Sequence, residues 1–176
     1  EIALGVAYAT HLDAHLLNVP VENMSVFIDK PNDFIDWLVK HQLPVNKFVP
    51  RQLYGQYLQN RFQACVEQPS SHGVVIEVHK VEVVAIHPIL TQWMIETAGA
   101  DSFKADKVIL ATGHLLPREQ FPHLSATHMI QDPWDAERIR AIPSDATVLI
   151  LGTGLTMVDV VLSLKENRHC GPIYAI

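Results

Sequence analysis

The chain has 176 residues, 48% of them hydrophobic and 18% charged, with a formal net charge of -6. That is enough apolar material for a real core, whereas the acidic balance and the lack of any Lys/Arg cluster leave no electrostatic footprint for nucleic acid. There is no run of about 18 apolar residues to predict a membrane span, no basic-then-apolar leader is recognisable, and Cys65 and Cys170 form no CxxC pair, so the expected setting is the reducing cytoplasm.

The first residue is Glu1 and no initiator Met precedes it, which predicts an internal piece of a longer protein. Residues 1 to 28 read as irregular, with Gly5, Pro20 and small polar residues. "KPNDFIDWLVKH" predicts a helix: Pro31 suits a first turn, Asp33 suits the positive helix start, and Phe34, Ile35, Leu38 and Val39 fall on one face. "PRQLYGQYLQNRFQACVEQ" predicts a second helix behind Pro50, with Leu53, Tyr54, Tyr57, Leu58, Phe62 and Cys65 at helical spacing. Gly55 within it costs about 1 kcal/mol against Ala, so its presence points to a close contact.

After "PSSHG" the texture turns to β. "VVIEVHKVEVVAI" predicts a strand ended by Pro88, "TQWMIET" a second, "AGAD" a turn, and "KVILATG" a closing hydrophobic strand. Residues 114 to 146, with Pro117, Pro122, Pro133 and Pro143, read as a long connection containing a short helix near "DAERIRAI". The strand "TVLIL", the helix "LTMVDVVLSLKE" and the strand "GPIYAI" complete the chain.

Gly152-Thr153-Gly154 follows a strand and opens a helix, the context a dinucleotide fingerprint requires. The first glycine permits the tight turn, the second lets a pyrophosphate approach the backbone, and the helix start beyond it, Leu155 and Thr156, offers free N–H groups and partial positive charge. The third glycine of that fingerprint is replaced by Met157. A plain strand–turn–helix remains the alternative.

Three segments together, "HLLNVPVENMS", "FVPRQLYGQYL" and "DPWDAERIRAIPSDATVLILGTGLTMVDVVLSL", resemble bacterial FAD/NAD(P)-binding proteins, and "VILATGH" fits the same pattern. The resemblance extends more distantly to flavin-containing monooxygenases and other flavoproteins with two dinucleotide-binding domains. It implies that the late glycine turn is the second of two, the one for NAD or NADP, with Met157 at the alanine position of a GxGxxAxxE-type motif and Asp159 next to its acidic position. It also implies that the FAD-binding glycine unit precedes Glu1, so that residues 1 to 176 alone hold FAD poorly.

The same resemblance places Thr112 and Gly113 in a turn beside FAD, Arg51 close to the cofactor, and the backbone of Val83 near adenine. For each, a structural reading stands beside it: a strand-to-loop glycine, a solvated arginine, an ordinary sheet valine. Asn18 matches the segment that carries an active-site asparagine in flavin-containing monooxygenases, where a carboxamide donates a hydrogen bond at the flavin; the alternative is an Asn that sets a turn before Pro20. His114, after Gly113, is either a flavin-facing or a loop histidine. His11 and His15 have the spacing of HExxH, but Leu12 stands where the glutamate belongs, so no metal is expected. No GxSxG occurs, which excludes a recognisable nucleophile elbow.

The fold class expected is α/β: a Rossmann-like FAD/NAD(P)-binding fold with a β-meander, truncated at both ends. Residues 1–113 form part of an FAD domain, 114–146 a connection, and 147–176 the start of an NAD(P) domain. The expected function is an FAD-dependent oxidoreductase that takes hydride from NAD(P)H and acts on a small-molecule substrate, monooxygenase-like in outcome. A non-catalytic dinucleotide-binding or scaffold protein is the alternative from another class.

Overall fold

The structure, a computed structural model, describes residues 2–67, 73–99, 101–113 and 128–176. It divides into two compact units, Gln63–Gly113 and the remainder, Glu1–Phe62 with His114–Ile176. His114 and the first part of the expected connection lie outside the described residues.

In the larger unit, α1 (Asp33–Lys40) and α2 (Arg51–Glu67) form where the apolar spacing predicts them. The buried face of α1 is Phe34, Trp37 and Leu38 rather than the expected set, because the i, i+3, i+4 stripe turns Val39 outward to 61% exposure. Along α2 burial is confined to the first two turns, at Arg51, Leu53, Tyr54, Gly55 and Tyr57. Cys65, expected on the apolar face, is exposed.

Phe34 meets Tyr54 edge to face at 5.1 Å and Tyr57 at 5.0 Å between ring centroids, the offset geometry aromatic quadrupoles favour. The Tyr57 hydroxyl donates to Asp33 Oδ2 at 2.7 Å, and Arg61 donates to both oxygens of the same carboxylate. The first residue of α1 is thereby tied to α2. Gly55 is the close contact its sequence context suggests: a Cβ there would lie 2.7 Å from the Tyr8 carbonyl oxygen and 2.6 Å from Leu4 Cδ1.

The irregular segment before α1 pairs with the segment leading into α2. Leu17 N–H donates to Val49 O, Val21 N–H to Lys47 O and Arg51 N–H to His15 O, with a bridge between Leu16 and Pro50. Two of the three family-like segments therefore lie side by side.

Later in this unit, α3 (Ala136–Arg140) is capped by Asp135, whose carboxylate accepts from the Arg138 amide. It packs on α4 (Leu155–Glu166) through buried Ile139. β4 (Val148–Ile150) and β5 (Ile173–Ala175) flank α4 and pair in parallel, Val148 opposite Ile173. Parallel neighbours require a crossover, and α4 is that crossover. Gly171 lets the chain pass the 145–146 backbone: an added Cβ would meet the Asp145 carbonyl carbon at 2.7 Å and overlap the Ala146 oxygen.

The smaller unit is an antiparallel meander of β1 (Val83–Ile89), β2 (Gln92–Thr97) and β3 (Ser102–Ala105), in that order. Three expectations change here. The first strand starts at Val83, and residues 74 to 82 join no ladder, leaving Val75 at 72% exposure. Pro88 lies inside β1, opposite Trp93, because β1 is an edge strand and the missing N–H of a proline costs no ladder bond on the outer side. "KVILATG" forms no strand, with Ile109 and Leu110 exposed; the third strand is the more polar "SFKA" instead.

Candidate functional site: the glycine turn and its anchor

β4 delivers the chain to Leu151, and Gly152 then takes φ +108°, a region in which only glycine is unstrained. Gly154 is extended and starts α4 without a side-chain cap. A Cβ added to either glycine would meet nothing within 4 Å, so both are open toward solvent rather than packed. The amides of Thr153, Gly154, Leu155 and Thr156 find no acceptor among the described residues. They converge at a helix start, where unpaired N–H groups and the helix dipole favour an anion. The turn is held from behind, since Gly152 N–H donates to Ile176 O at 2.7 Å and Ile176 N–H to Ile150 O at 3.1 Å.

A cavity of about 700 Å³ opens beside this turn, lined among others by Ile130, Pro133, Ile142, Leu149, Gly152 and Thr156. Its lining is mixed, with apolar side chains such as Ile130, Ile142 and Val160 beside the polar Gln131 and Thr156. Half-buried Met157, where a third glycine was expected, forms part of its wall.

One turn into α4, Asp159 is 7% exposed, and its carboxylate meets Arg51 Nη1 at 2.7 Å. Arg51 is itself buried and fixed, with Nε donating to the Leu16 carbonyl at 2.8 Å. It is therefore not the solvated arginine that one reading of the sequence allowed. His15, 5% exposed, reaches the same place: Nε2 lies 3.0 Å from the Asp159 carbonyl oxygen and 3.1 Å from Ser163 Oγ, and Nδ1 lies 2.7 Å from Thr10 Oγ1. A carbonyl can only accept, so the proton of the neutral ring sits on Nε2, and Nδ1 accepts from Thr10. His15 is an anchor for α4. No metal-holding group of His, Cys, Asp or Glu side chains is found among the described residues.

The anchoring role of His15, considered above only for its HExxH-like spacing, and that of Ser163 were not anticipated from the sequence. The signal was a single carboxylate inside the apolar run "LTMVDVVLSL", with a hydroxyl four residues on, on the same face.

Asn18 is exposed on a bend beside this anchor segment. Val83, Thr112 and Gly113 belong to the smaller unit. Val83 begins β1 opposite Thr97 and is half exposed. Thr112 is exposed, and Gly113 takes φ +74° with open space about it. The structure thus joins Arg51 to the helix of the glycine turn and assembles residues 152 to 156 into one feature. No helix among the described residues is long and apolar enough to cross a membrane.

Comparisons with curated proteins and with solved structures returned no match. The sequence does match the FAD-NAD(P)-binding family over residues 1–115, a stretch that holds Asn18, Arg51, Val83, Thr112 and Gly113 and ends before the glycine turn. With about two thirds of its length matched, the chain belongs to the FAD-NAD(P)-binding family.

Proposed function

We propose that the protein is an FAD-dependent oxidoreductase that accepts hydride from NADH or NADPH, with the Gly152–Thr156 turn holding the pyridine nucleotide's diphosphate. The observation that carries this reading is the open strand–Gly-Thr-Gly–helix turn, found in the same compact unit as most of the FAD-NAD(P)-binding family match. Such a turn fits a diphosphate because backbone N–H groups and a helix dipole stabilise two negative charges without a lysine or arginine at the site. Bound flavin supplies the redox chemistry; the chain binds and orients the two dinucleotides. Val83, Thr112 and Gly113 are the residues assigned to the FAD side, and Asn18 to the flavin ring in a monooxygenase-like reaction on a small molecule; Arg51, engaged by Asp159 and the Leu16 carbonyl, is assigned to the site as a positioning residue rather than a cofactor contact.

The domain assignment follows: an FAD portion over 1–113, a connection over 114–146 and an NAD(P) portion from 147. The second reading, a dinucleotide-binding protein without turnover, is favoured by Met157, whose side chain occupies wall space beside the turn. The test is optical. The whole protein, purified, should be yellow, and anaerobic NADPH or NADH should bleach the flavin absorbance. Yellow protein that neither nucleotide bleaches would favour the second reading, and colourless protein that takes up no FAD would defeat the first.

A further inference from the structure

We infer that Arg51 serves the pyridine nucleotide through Asp159: it is the charge partner that cancels a carboxylate standing one helical turn inside the phosphate-binding end of α4. The inference rests on the phosphate role proposed for the glycine turn. Asp159 follows Leu155, the first residue of α4, by four positions, which puts it about 6 Å along the helix axis. A carboxylate so near the helix start takes up the same positive field that an incoming diphosphate needs. It is also buried, so neither water nor salt screens it well. Left alone, it would oppose nucleotide binding.

Arg51 removes that opposition. Nη1 sits 2.7 Å from Asp159 Oδ2, with the two side chains 11% and 9% exposed. The guanidinium is preset, because Nε is bound to Leu16 O and the backbone N–H to His15 O, each at 2.8 Å. A swing toward a ligand would strand a buried carboxylate, a costly state. The same turn of α4 is tied down independently of the carboxylate, because the backbone carbonyl of Asp159 receives His15 Nε2 and Ser163 Oγ. Arg51 is therefore a positioning residue that acts through Asp159 and need not touch either dinucleotide.

The experiment measures NADPH and NADH affinity by fluorescence titration of the whole protein, and FAD content by visible absorbance. Arg51→Gln should weaken nucleotide binding roughly tenfold, the scale of one unit charge about 10 Å away in partly screened protein, and leave FAD content unchanged. Asp159→Asn should bind at least as tightly as wild type. The double variant Arg51→Gln/Asp159→Asn, which removes both charges, should recover to within about threefold of wild type.

Equal losses in the two single variants, with no recovery in the double, would mean that the pair is only a structural tie. Loss of FAD from Arg51→Gln with nucleotide affinity intact would make Arg51 a flavin contact. Either result overturns the inference. If Arg51→Gln does not fold, Asp159→Asn decides alone: weaker nucleotide binding overturns the inference, and equal or tighter binding supports it. Gly154→Val, titrated alongside, separates the two levels. If it leaves nucleotide binding intact, the phosphate site itself is wrong; if it weakens binding while Arg51→Gln does not, only the charge role falls.

Discussion

Gly55 in α2 brings its α-carbon against the carbonyl of Tyr8, close enough that a methyl group there would sit 2.7 Å from the Tyr8 oxygen. Helix propensity alone favours Ala over Gly by about 1 kcal/mol. The overlap works against it, and the obstacle is a backbone atom that cannot rotate away. Gly55→Ala should therefore destabilise the protein by roughly 1–3 kcal/mol net, the usual cost of overpacking, and Gly55→Val by more. The midpoint of urea unfolding checks this; a stabilised Gly55→Ala would mean that the 3–9 segment moves aside freely.

Tyr57 is fully buried, and its hydroxyl donates to Asp33 while accepting the Val26 amide at 3.2 Å. Burial, foremost, and the hydrogen bond to Asp33 raise its pKa above the ordinary 10.0; burial raises that of Tyr54 as well. The folded state thus prefers the neutral phenol. That contribution is complete below about pH 10, where unfolded tyrosine titrates, and is lost as pH climbs through the raised folded value. Tyr57→Phe should cost roughly 1–3 kcal/mol at neutral pH and should flatten the decline in stability above pH 10. Denaturant midpoints for both proteins between pH 8 and 11 measure the two effects, and parallel curves would rule out Tyr57 as a source of the alkaline loss.

The two glycines of the turn should separate. Gly152 takes φ +108° and Gly154 does not take a positive φ. Gly152→Ala should therefore lower stability by about 1–2 kcal/mol through backbone strain, while Gly154→Ala should leave stability nearly unchanged. Gly154→Val should weaken NAD(P)H binding through side-chain bulk at an open backbone, with FAD retained. Calorimetric melting and nucleotide titration of the three variants read these outcomes, and equal melting losses at both positions would contradict the geometry.

Asn18 is exposed, so Asn18→Ala should change stability by no more than about 0.5 kcal/mol. If its amide serves the flavin ring, the variant should oxidise NAD(P)H with more hydrogen peroxide released per nucleotide consumed. Unchanged peroxide yield and turnover in a stable Asn18→Ala protein would leave Asn18 as a turn residue before Pro20.

The sequence was most legible where local and tertiary demands agree. α4 forms over the residues its pattern marks, because an apolar strand, a glycine turn and an amphipathic helix each act within a few residues. It was least legible in the second unit. "VVIEVHK" and "KVILATG" carry the strongest β composition in the chain, yet neither joins a ladder among the described residues, while "SFKA" does. Strand propensity states that a residue suits a pleated surface, and a ladder also needs a neighbour whose N–H and C=O groups are free. Arg51 was ambiguous for a related reason: its partner is 108 residues away, and no local pattern records such a pairing.

That separation bears on how the gene can be recombined. A chimera that exchanges residues 147–176 with those of another family member imports position 159 and leaves position 51 behind. Exchange should succeed where the donor carries an acidic residue at 159 and fail where it carries a basic one, since two buried cations would then face each other. Across such a junction the transferable module is the β4–α4–β5 segment together with a single arginine encoded far upstream.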